Sequence, residues 1–441
     1  MTNSPDSGDA DGDIGRVLAR PLYLLLSYAL LPVLLAVVGW RVLTRPPYRE
    51  RVFERFGWGR REEGDAVLWV HAVSVGEAQA ALPLIRALRA KSPDACVVIT
   101  TTTPTGAAHV ARLYGDSATH RYVPYDLRDA VSRFLDRVRP SVLVVVETEL
   151  WPHMLQGCRR RRIPVVFANA RLTDRSLRRY RRFGALFRDA LRDVVVAAQS
   201  EADAQRFRAL APPSAQVQAV GNLKFDIALD PKTLRAGRVW RARQGERDAV
   251  LVAGSTHEGE EQAVMDALRV LQEAGTNCLA VIVPRHPERF EAVAKAIHGQ
   301  GFPLRRRSEL GFEMSVDDAQ VLLVDVMGEL LSFYAAADIA FVGGSLVPVG
   351  GHNLLEPAAL GLPTLTGPHH HNAPEVAAAL AEAGALRYVE DGRAIAGAVA
   401  ELLADPPLAS QMGEAGRQTV AANRGAVAAV VERVEALRAA R

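Results

Sequence analysis

Three glutamates stand directly after apolar, β-rich runs, where a carboxylate can take the proton of an attacking hydroxyl. Glu77 closes the segment His71-Ala72-Val73-Ser74-Val75-Gly76-Glu77 and falls at the start of a helical pattern. Free amides and the helix dipole there favour an ionised carboxylate, which suits a general base. Acidic residues are also common in a first helical turn merely to complement it, and on this segment alone that plainer role has the stronger claim. Glu147 and Glu149 follow a second run, in Val145-Val146-Glu147-Thr148-Glu149-Leu150-Trp151-Pro152. Acids after a strand are ordinary, but a Trp-Pro pair behind them is less so, because an idle exposed Trp is costly.

Cations and glycines follow the remaining runs. Arg171 ends one and is trailed by Arg175, Arg178, Arg179, Arg181 and Arg182, while Lys224 closes the N-terminal half in Gly221-Asn222-Leu223-Lys224. In the second half Ser255 and Thr256 sit at a strand-to-helix turn, as hydroxyl residues that contact phosphate do. Arg285 and His286 end the next run, and Met327-Gly328-Glu329 forms a turn able to hold a flat base through its backbone. The most specific stretch runs from Gly343-Gly344-Ser345-Leu346 to Gly350-Gly351-His352-Asn353-Leu354-Leu355-Glu356-Pro357. Its glycines let the backbone approach a ligand, and the helix behind them turns free N–H groups outward. Gly351, His352 and Asn353 are thus candidates for a phosphate, and Glu356, one turn on, for ribose hydroxyls.

Several chemistries drop out. The stretch lacks GxGxxG spacing and does not follow the first strand, which excludes a nicotinamide dehydrogenase, and no GxxxxGK(S/T) exists for a P-loop. His369-His370-His371 lacks the helical spacing of metal ligands, and no DxD-like pair ends a strand in the second half, so no metal is expected. Cys96, Cys158 and Cys278 are scattered and form no CxxC, as reduced thiols do.

These residues need a scaffold that brings strand ends together. Apolar runs at Val67–Val73, Cys96–Thr101, Val142–Glu147, Ile163–Ala168 and Val194–Ala198 alternate with helical patterns such as Ala78–Arg89 and Leu172–Leu191. A second series follows at Val250–Ala253, Leu279–Val283, Val321–Asp325, Ile339–Val342 and Pro363–Leu365. This is the pattern of α/β, doubly wound parallel sheets, whose ligands bind beyond the carboxyl ends of the strands. The expected division is a Rossmann-like domain over 45–228, a linker over 229–246 and a second Rossmann-like domain over 247–441, with a cleft between the halves.

The 441 residues are 49% hydrophobic and 23% charged, a globular composition. A net charge of +3 and 6% aromatics argue against nucleic acid as a partner. Residues 1–20 form an acidic tail, expected to be disordered, and 21–44 an apolar membrane anchor without charge between Pro21 and Trp40. Gly39-Trp40-Arg41 offers no signal-peptide cleavage site. Asp6, Asp9, Asp11 and Asp13 precede the anchor, and Arg41, Arg45, Arg49, Arg51, Arg55, Arg60 and Arg61 follow it. The positive-inside rule then places the bulk of the chain in the cytoplasm. Spanning is the favoured arrangement, with a helix lying in the interface as the second. Beside such an anchor, the Arg-rich rim suits anionic headgroups or an anionic lipid substrate.

Read in order, HAVSVGE, ETELWP, NARLTDRS, GNLKFD, GSTHEGEE, PRHPERF, DVMGEL, GGSLVPVGGHNLLEPAALG and GPHHHNAPE closely resemble the 3-deoxy-D-manno-octulosonic acid (Kdo) transferases over Ala66 to about Val389. The resemblance implies a GT-B fold and metal-independent, cofactor-free, inverting transfer from CMP-Kdo to a lipid A precursor at the inner membrane. It implies Glu77 as general base and Glu147 and Glu149 as essential acids of the acceptor side. Arg285, the Met327–Glu329 turn, the Gly351–Asn353 helix start and Glu356 are then donor ligands. Two alternatives share part of the pattern: a GT-B transferase or epimerase using a UDP-sugar, and a non-catalytic, membrane-tethered lipid-binding protein.

Overall fold

A computed structural model describes residues 8–62, 66–227, 229–311 and 314–440. The chain divides into two compact units, Met1–Asp226 with Arg424–Arg441, and Ile227–Asn423.

The first unit is built on seven strands: β1 (Val67–His71), β2 (Cys96–Thr101), β3 (Thr119–Tyr122), β4 (Pro140–Val146), β5 (Val165–Ala170), β6 (Val195–Ala198) and β7 (Gln216–Ala219). They pair in parallel in the order β3-β2-β1-β4-β5-β6-β7. Side chains alternate between faces with the period of a strand. Trp69, Leu143, Val145 and Phe167 enter one core, and Leu68, Val70, Val142, Val144 and Val166 enter the other. Both faces are covered, as in parallel sheets generally, so the central strands read as unbroken apolar runs.

The second unit repeats the plan with β8 (Ala249–Thr256), β9 (Cys278–Pro284), β10 (Leu304–Arg306), β11 (Val321–Leu323), β12 (Ile339–Val342), β13 (Thr364–Thr366) and β14 (Leu386–Tyr388). Their order is β10-β11-β9-β8-β12-β13-β14, again all parallel. In each sheet the strand order reverses beside the first strand, between β1 and β4 and between β8 and β12. Crevices for ligands open at such switch points.

Three boundaries differ from the sequence expectation. Residues 229–246 are not a linker: Pro231–Arg241 is a helix capped by Asp230. Its Gly237 would carry a Cβ only 2.1 Å from the Ser332 carbonyl, and its Trp240 packs edge-on against Phe333. The C-terminal helix Ala426–Ala439 belongs to the first unit, where Val430, Val431 and Val434 share a core with Leu84 and Leu88. Asp226 holds its start by accepting from the Gly425 and Val427 amides at 2.7 and 2.6 Å. The expected acidic tail lies outside the described residues only for 1–7, because a helix already runs from Gly8 to Ala29.

The apolar N-terminal segment expected to be an anchor is not one straight helix. Ala19–Ala29 and Leu31–Thr44 meet at 43°, with Pro32 in the first turn of the second piece, where its missing N–H is tolerated. Among the described residues no single helix is long and apolar enough to cross a membrane, while this bent pair passes by length and composition. The first piece rests on the first unit. Arg20 pairs with Asp189, the Tyr23 hydroxyl donates to Asp126 at 2.9 Å, and Ser27 Oγ lies 3.3 Å from His153 Nε2.

Candidate active site

At the first switch point the strand ends deliver all three glutamates to one place. β1 runs through Ala72 and Val73 into helix Val75–Ala80, whose N-cap is Ser74. Ser74 Oγ accepts the Glu77 amide at 3.2 Å and donates to Glu77 Oε1 at 2.9 Å, while Glu77 Oε2 accepts the Val73 amide at 2.8 Å. This is a capping box extended by one residue. The plainer role of Glu77 is therefore real, and the same hydrogen bonds hold its carboxylate at the cavity wall.

β4 ends at Val146, and Glu147 follows with a φ of 61°. A non-glycine residue in the left-handed region persists only where its surroundings enforce it. That turn brings Glu147, Thr148 and Glu149 round to the mouth of the sheet. The Thr148 hydroxyl donates to the Arg171 carbonyl and accepts the Arg171 amide at 3.2 Å, tying the β4 end to the β5 end. Trp151 donates its indole N–H to Glu149 at 2.6 Å and packs edge-on against His71. His71 is fully buried, which pushes its imidazole down to about 3, so it is a neutral support for Trp151.

The cavity holds about 540 Å³, and its lining includes Glu77, Glu147 and Glu149 together with Arg171, Arg179 and Tyr180. Burial drives the Glu77 carboxyl up to about 7; the Val73 amide and Ser74 hydroxyl pull it down, and the charges of Glu147 and Glu149 push it up. Burial also raises Glu149, against the pull of the Trp151 N–H. A carboxyl near 7 can both take and hold a proton at neutral pH, the range in which general bases work best.

The basic rim is only partly here. Arg171 lines the cavity, whereas Arg175, Arg178 and Lys224 do not; Arg175 and Arg178 are exposed on helix Asp174–Arg181. Arg179, Ser176 and Tyr180 line it instead. Ser176, Arg179 and Tyr180 stand at i, i+3 and i+4 on helix Asp174–Arg181, and that spacing is the signal for the cavity face. Arg159 and Arg161 are engaged with Asp189 and Asp136.

In the second unit the polar groups again gather at the switch point. Ser255 has a φ of 57° at the end of β8, and the buried Thr256 donates its hydroxyl to Glu261 at 2.8 Å. His257, absent from the residues picked out by sequence, lies with its Nε2 2.8 Å from that of His352, the two rings almost parallel. His286 stands edge-on to His257, with Arg285 beside it and exposed. Burial, then the neighbouring His257, Arg285 and His286, hold His352 down to about 4. Asn353 donates to Glu356 at 3.0 Å and caps the Leu355 amide at 3.1 Å. Burial raises the Glu356 carboxyl. The helix behind this turn, Leu355–Ala359, is a single short one.

The histidine run is structural support. Asn372 donates to the carbonyls of Val349 and Gly351, both at 3.2 Å, and His370 lies against the Gly367 carbonyl at 2.6 Å. The Met327–Glu329 turn is separate in kind: Met327 is exposed, Gly328 has a φ of 90°, and Glu329 makes a two-point ion pair with Arg307 at 2.7 and 2.8 Å. Among the described residues no group of three or more His, Cys, Asp or Glu could hold a metal ion.

Two seven-stranded parallel sheets, each with polar groups at its strand ends, match the α/β architecture of GT-B proteins, a fold that does not by itself fix an activity. Residues 313–419 match the family model described as glycosyl transferases group 1. The solved MurG structure of Acinetobacter baumannii shares the fold, with a TM-score of 0.53 at 15% identity over 84% of this chain and 99% of that one. Residues 50–227 match the model described as 3-deoxy-D-manno-octulosonic-acid transferase (kdotransferase). The 3-deoxy-D-manno-octulosonic acid transferase of Haemophilus influenzae is 38% identical over 92% of this chain and 96% of its own length. That of Bordetella pertussis is 36% identical over 95% and 99%. The chain belongs to the Kdo transferase family.

Proposed function

We propose that this enzyme transfers Kdo from CMP-Kdo to a phosphorylated acyl glucosamine disaccharide, the precursor of lipid A, with inversion and without a metal. The observation that carries this reading is the meeting of Glu77, Glu147 and Glu149 with Arg171 and Arg179 around one cavity in a Kdo transferase. A lipid acceptor with phosphates needs cations to hold it and a base to activate its hydroxyl, and both line this cavity.

In the reaction an acceptor hydroxyl attacks the anomeric carbon of Kdo. The new C–O bond forms as the bond to the CMP phosphate breaks, and CMP leaves with the electron pair. Glu77 takes the hydroxyl proton; burial brings its basicity near neutral, and the charges of Glu147 and Glu149 add to that. The transition state is oxocarbenium-like, as in other glycosyl chemistry. CMP carries a monophosphate, a leaving group that cations and backbone amides can stabilise. In the second unit Arg285, His286, Gly351, His352 and Asn353 serve that phosphate, Glu356 the ribose, and Met327–Glu329 the base. Ser255 and Thr256 shape the β8 end of the same site, although the Thr256 hydroxyl is engaged with Glu261.

The bent apolar pair at the N-terminus supports attachment to the cytoplasmic face of the inner membrane. Leu25, Leu30, Val33, Trp40 and Leu43 are all exposed on it. Large apolar side chains exposed together are a feature of membrane or partner sites.

Calorimetric titration with CMP and with UDP tests the donor assignment. CMP binds and UDP does not on this reading, whereas preference for UDP would select the UDP-sugar alternative.

A further inference from the structure

Helix Glu260–Glu273 opens with a carboxylate that solvent does not reach: Glu260 is 0% exposed. Its two oxygens accept four backbone N–H groups. Oε2 takes those of His257 at 2.9 Å and Gly344 at 2.7 Å, and Oε1 takes those of Ser345 and Leu346, each at 2.9 Å. Three successive amides turned to one point form an anion-binding nest, and a helix start favours a negative charge. Here a side chain of the protein fills that nest. The fit is close, since a Cβ on Gly343 would come within 2.8 Å of Glu260 Oε2.

The carbonyls of the same turn order the next one. Gly344 accepts from the amides of Gly350 at 3.1 Å and Gly351 at 2.7 Å, and Gly343 accepts from that of His352 at 3.2 Å. A second route runs from the His257 amide on Glu260 to the His257 ring and its contact with His352. Both routes start at one carboxylate and end at the turn assigned to the donor phosphate.

We propose that Glu260 is a positioning residue of the donor site, an internal anion that occupies the Gly344–Leu346 nest so that the nucleotide phosphate is received at the Gly350–His352 turn. The inference rests on the donor-site reading above. It makes Glu260 a group that touches no substrate and acts through the two turns it holds. Without its charge, three amides compete for the incoming phosphate or stay unsatisfied, and the His257–His352 pair loses its anchor.

Amide hydrogen exchange on the full chain, with and without CMP, tests this. The Gly344–Leu346 amides exchange slowly without CMP and are unchanged by it, while those of Gly350–His352, which already donate to the Gly343 and Gly344 carbonyls, slow by about 10-fold on binding because the ligand suppresses opening of their turn. Nest amides that exchange freely until CMP arrives would overturn the proposal, because they would then serve the ligand directly. CMP that changes no amide of the second unit would refute the donor-site reading itself. Glu260→Gln turns an NH₂ toward two of the donors, so the CMP dissociation constant and the donor KM rise by about 10-fold, with the acceptor KM unmoved. A folded Gln variant with wild-type CMP affinity overturns the positioning role. Should that variant fail to fold, the exchange pattern of the wild-type chain decides alone.

Discussion

Ser74 and Glu77 exchange hydrogen bonds in both directions: the hydroxyl accepts the Glu77 amide at 3.2 Å and donates to the carboxylate at 2.9 Å. The helix cap and the candidate base are therefore one device. Ser74→Ala removes both bonds. The loss of the cap lowers stability by about 1 kcal/mol. The loss of a bond to the carboxylate raises the Glu77 pKa further, so the acid limb of kcat/KM moves upward from its position near 7. A pH–rate profile of the variant checks this, and an unmoved acid limb would show that the limb belongs to another group.

Glu77 also makes stability depend on pH. Its carboxyl is raised from 4.5 to about 7 in the folded chain, so the folded state holds the proton more tightly than the unfolded one. The stability it contributes is full below the unfolded pKa and is lost as pH rises toward 7. Glu77→Gln removes that loss, and its melting temperature relative to wild type increases from pH 4.5 to 7.5. Parallel melting curves across that range would count against the burial-driven shift.

The buried histidines act with the opposite sign. His71 is lowered to about 3 and His352 to about 4, chiefly by burial, so the folded chain binds fewer protons than the unfolded one. Their contribution is present above about 6.5 and is lost as pH falls through the folded values. Thermal melts between pH 7 and 4 are expected to show a steady fall that His71→Asn shallows.

The arginines separate by position. Arg171 and Arg179 line the cavity, whereas Arg175 and Arg178 face solvent outside it. Arg179→Ala is expected to raise the acceptor KM by about 10-fold, the worth of one charge-assisted contact, without changing CMP affinity. Arg175→Ala leaves both nearly unchanged. Equal effects from the two substitutions would favour a diffuse field over a defined acceptor contact.

Membrane attachment has its own test. Leu25 and Leu43 are 68% and 76% exposed on the two pieces of the bent pair. Replacing both with Asp should cut binding to anionic phospholipid vesicles by more than about 10-fold, since charge is costly in the hydrocarbon region. Flotation with vesicles measures it, and retained binding would move the contact elsewhere.

The parts of this molecule legible in sequence were those with long apolar runs. The five runs marked in each half correspond to the central strands, because burial on both faces leaves no room for polar residues. The strands β3, β7, β10 and β14 went unmarked. All four are sheet edges, and Thr119-His120-Arg121-Tyr122 or Leu304-Arg305-Arg306 carries too little apolar content to stand out. The three glutamates are legible because each lies in the segment that leaves a strand, Glu147 and Glu149 just after β4 and Glu77 in the first turn of the helix after β1. His257 and Glu260 were not, because their roles depend on a partner turn more than 80 residues away. The place of the C-terminal helix in the first unit is illegible for a similar reason: the helix packs on residues more than 300 positions earlier, such as Leu84 and Leu88, and no local pattern shows that.

The most direct test of the account is transfer itself. The purified full chain is incubated with CMP-Kdo and the acyl disaccharide acceptor in EDTA, and the lipid is weighed by mass spectrometry, with Glu77→Ala in parallel. The account predicts a product heavier by one or more Kdo units from the wild type. It predicts none from the variant, which still binds CMP. Intact CMP-Kdo and unmodified lipid with folded wild-type protein would contradict it.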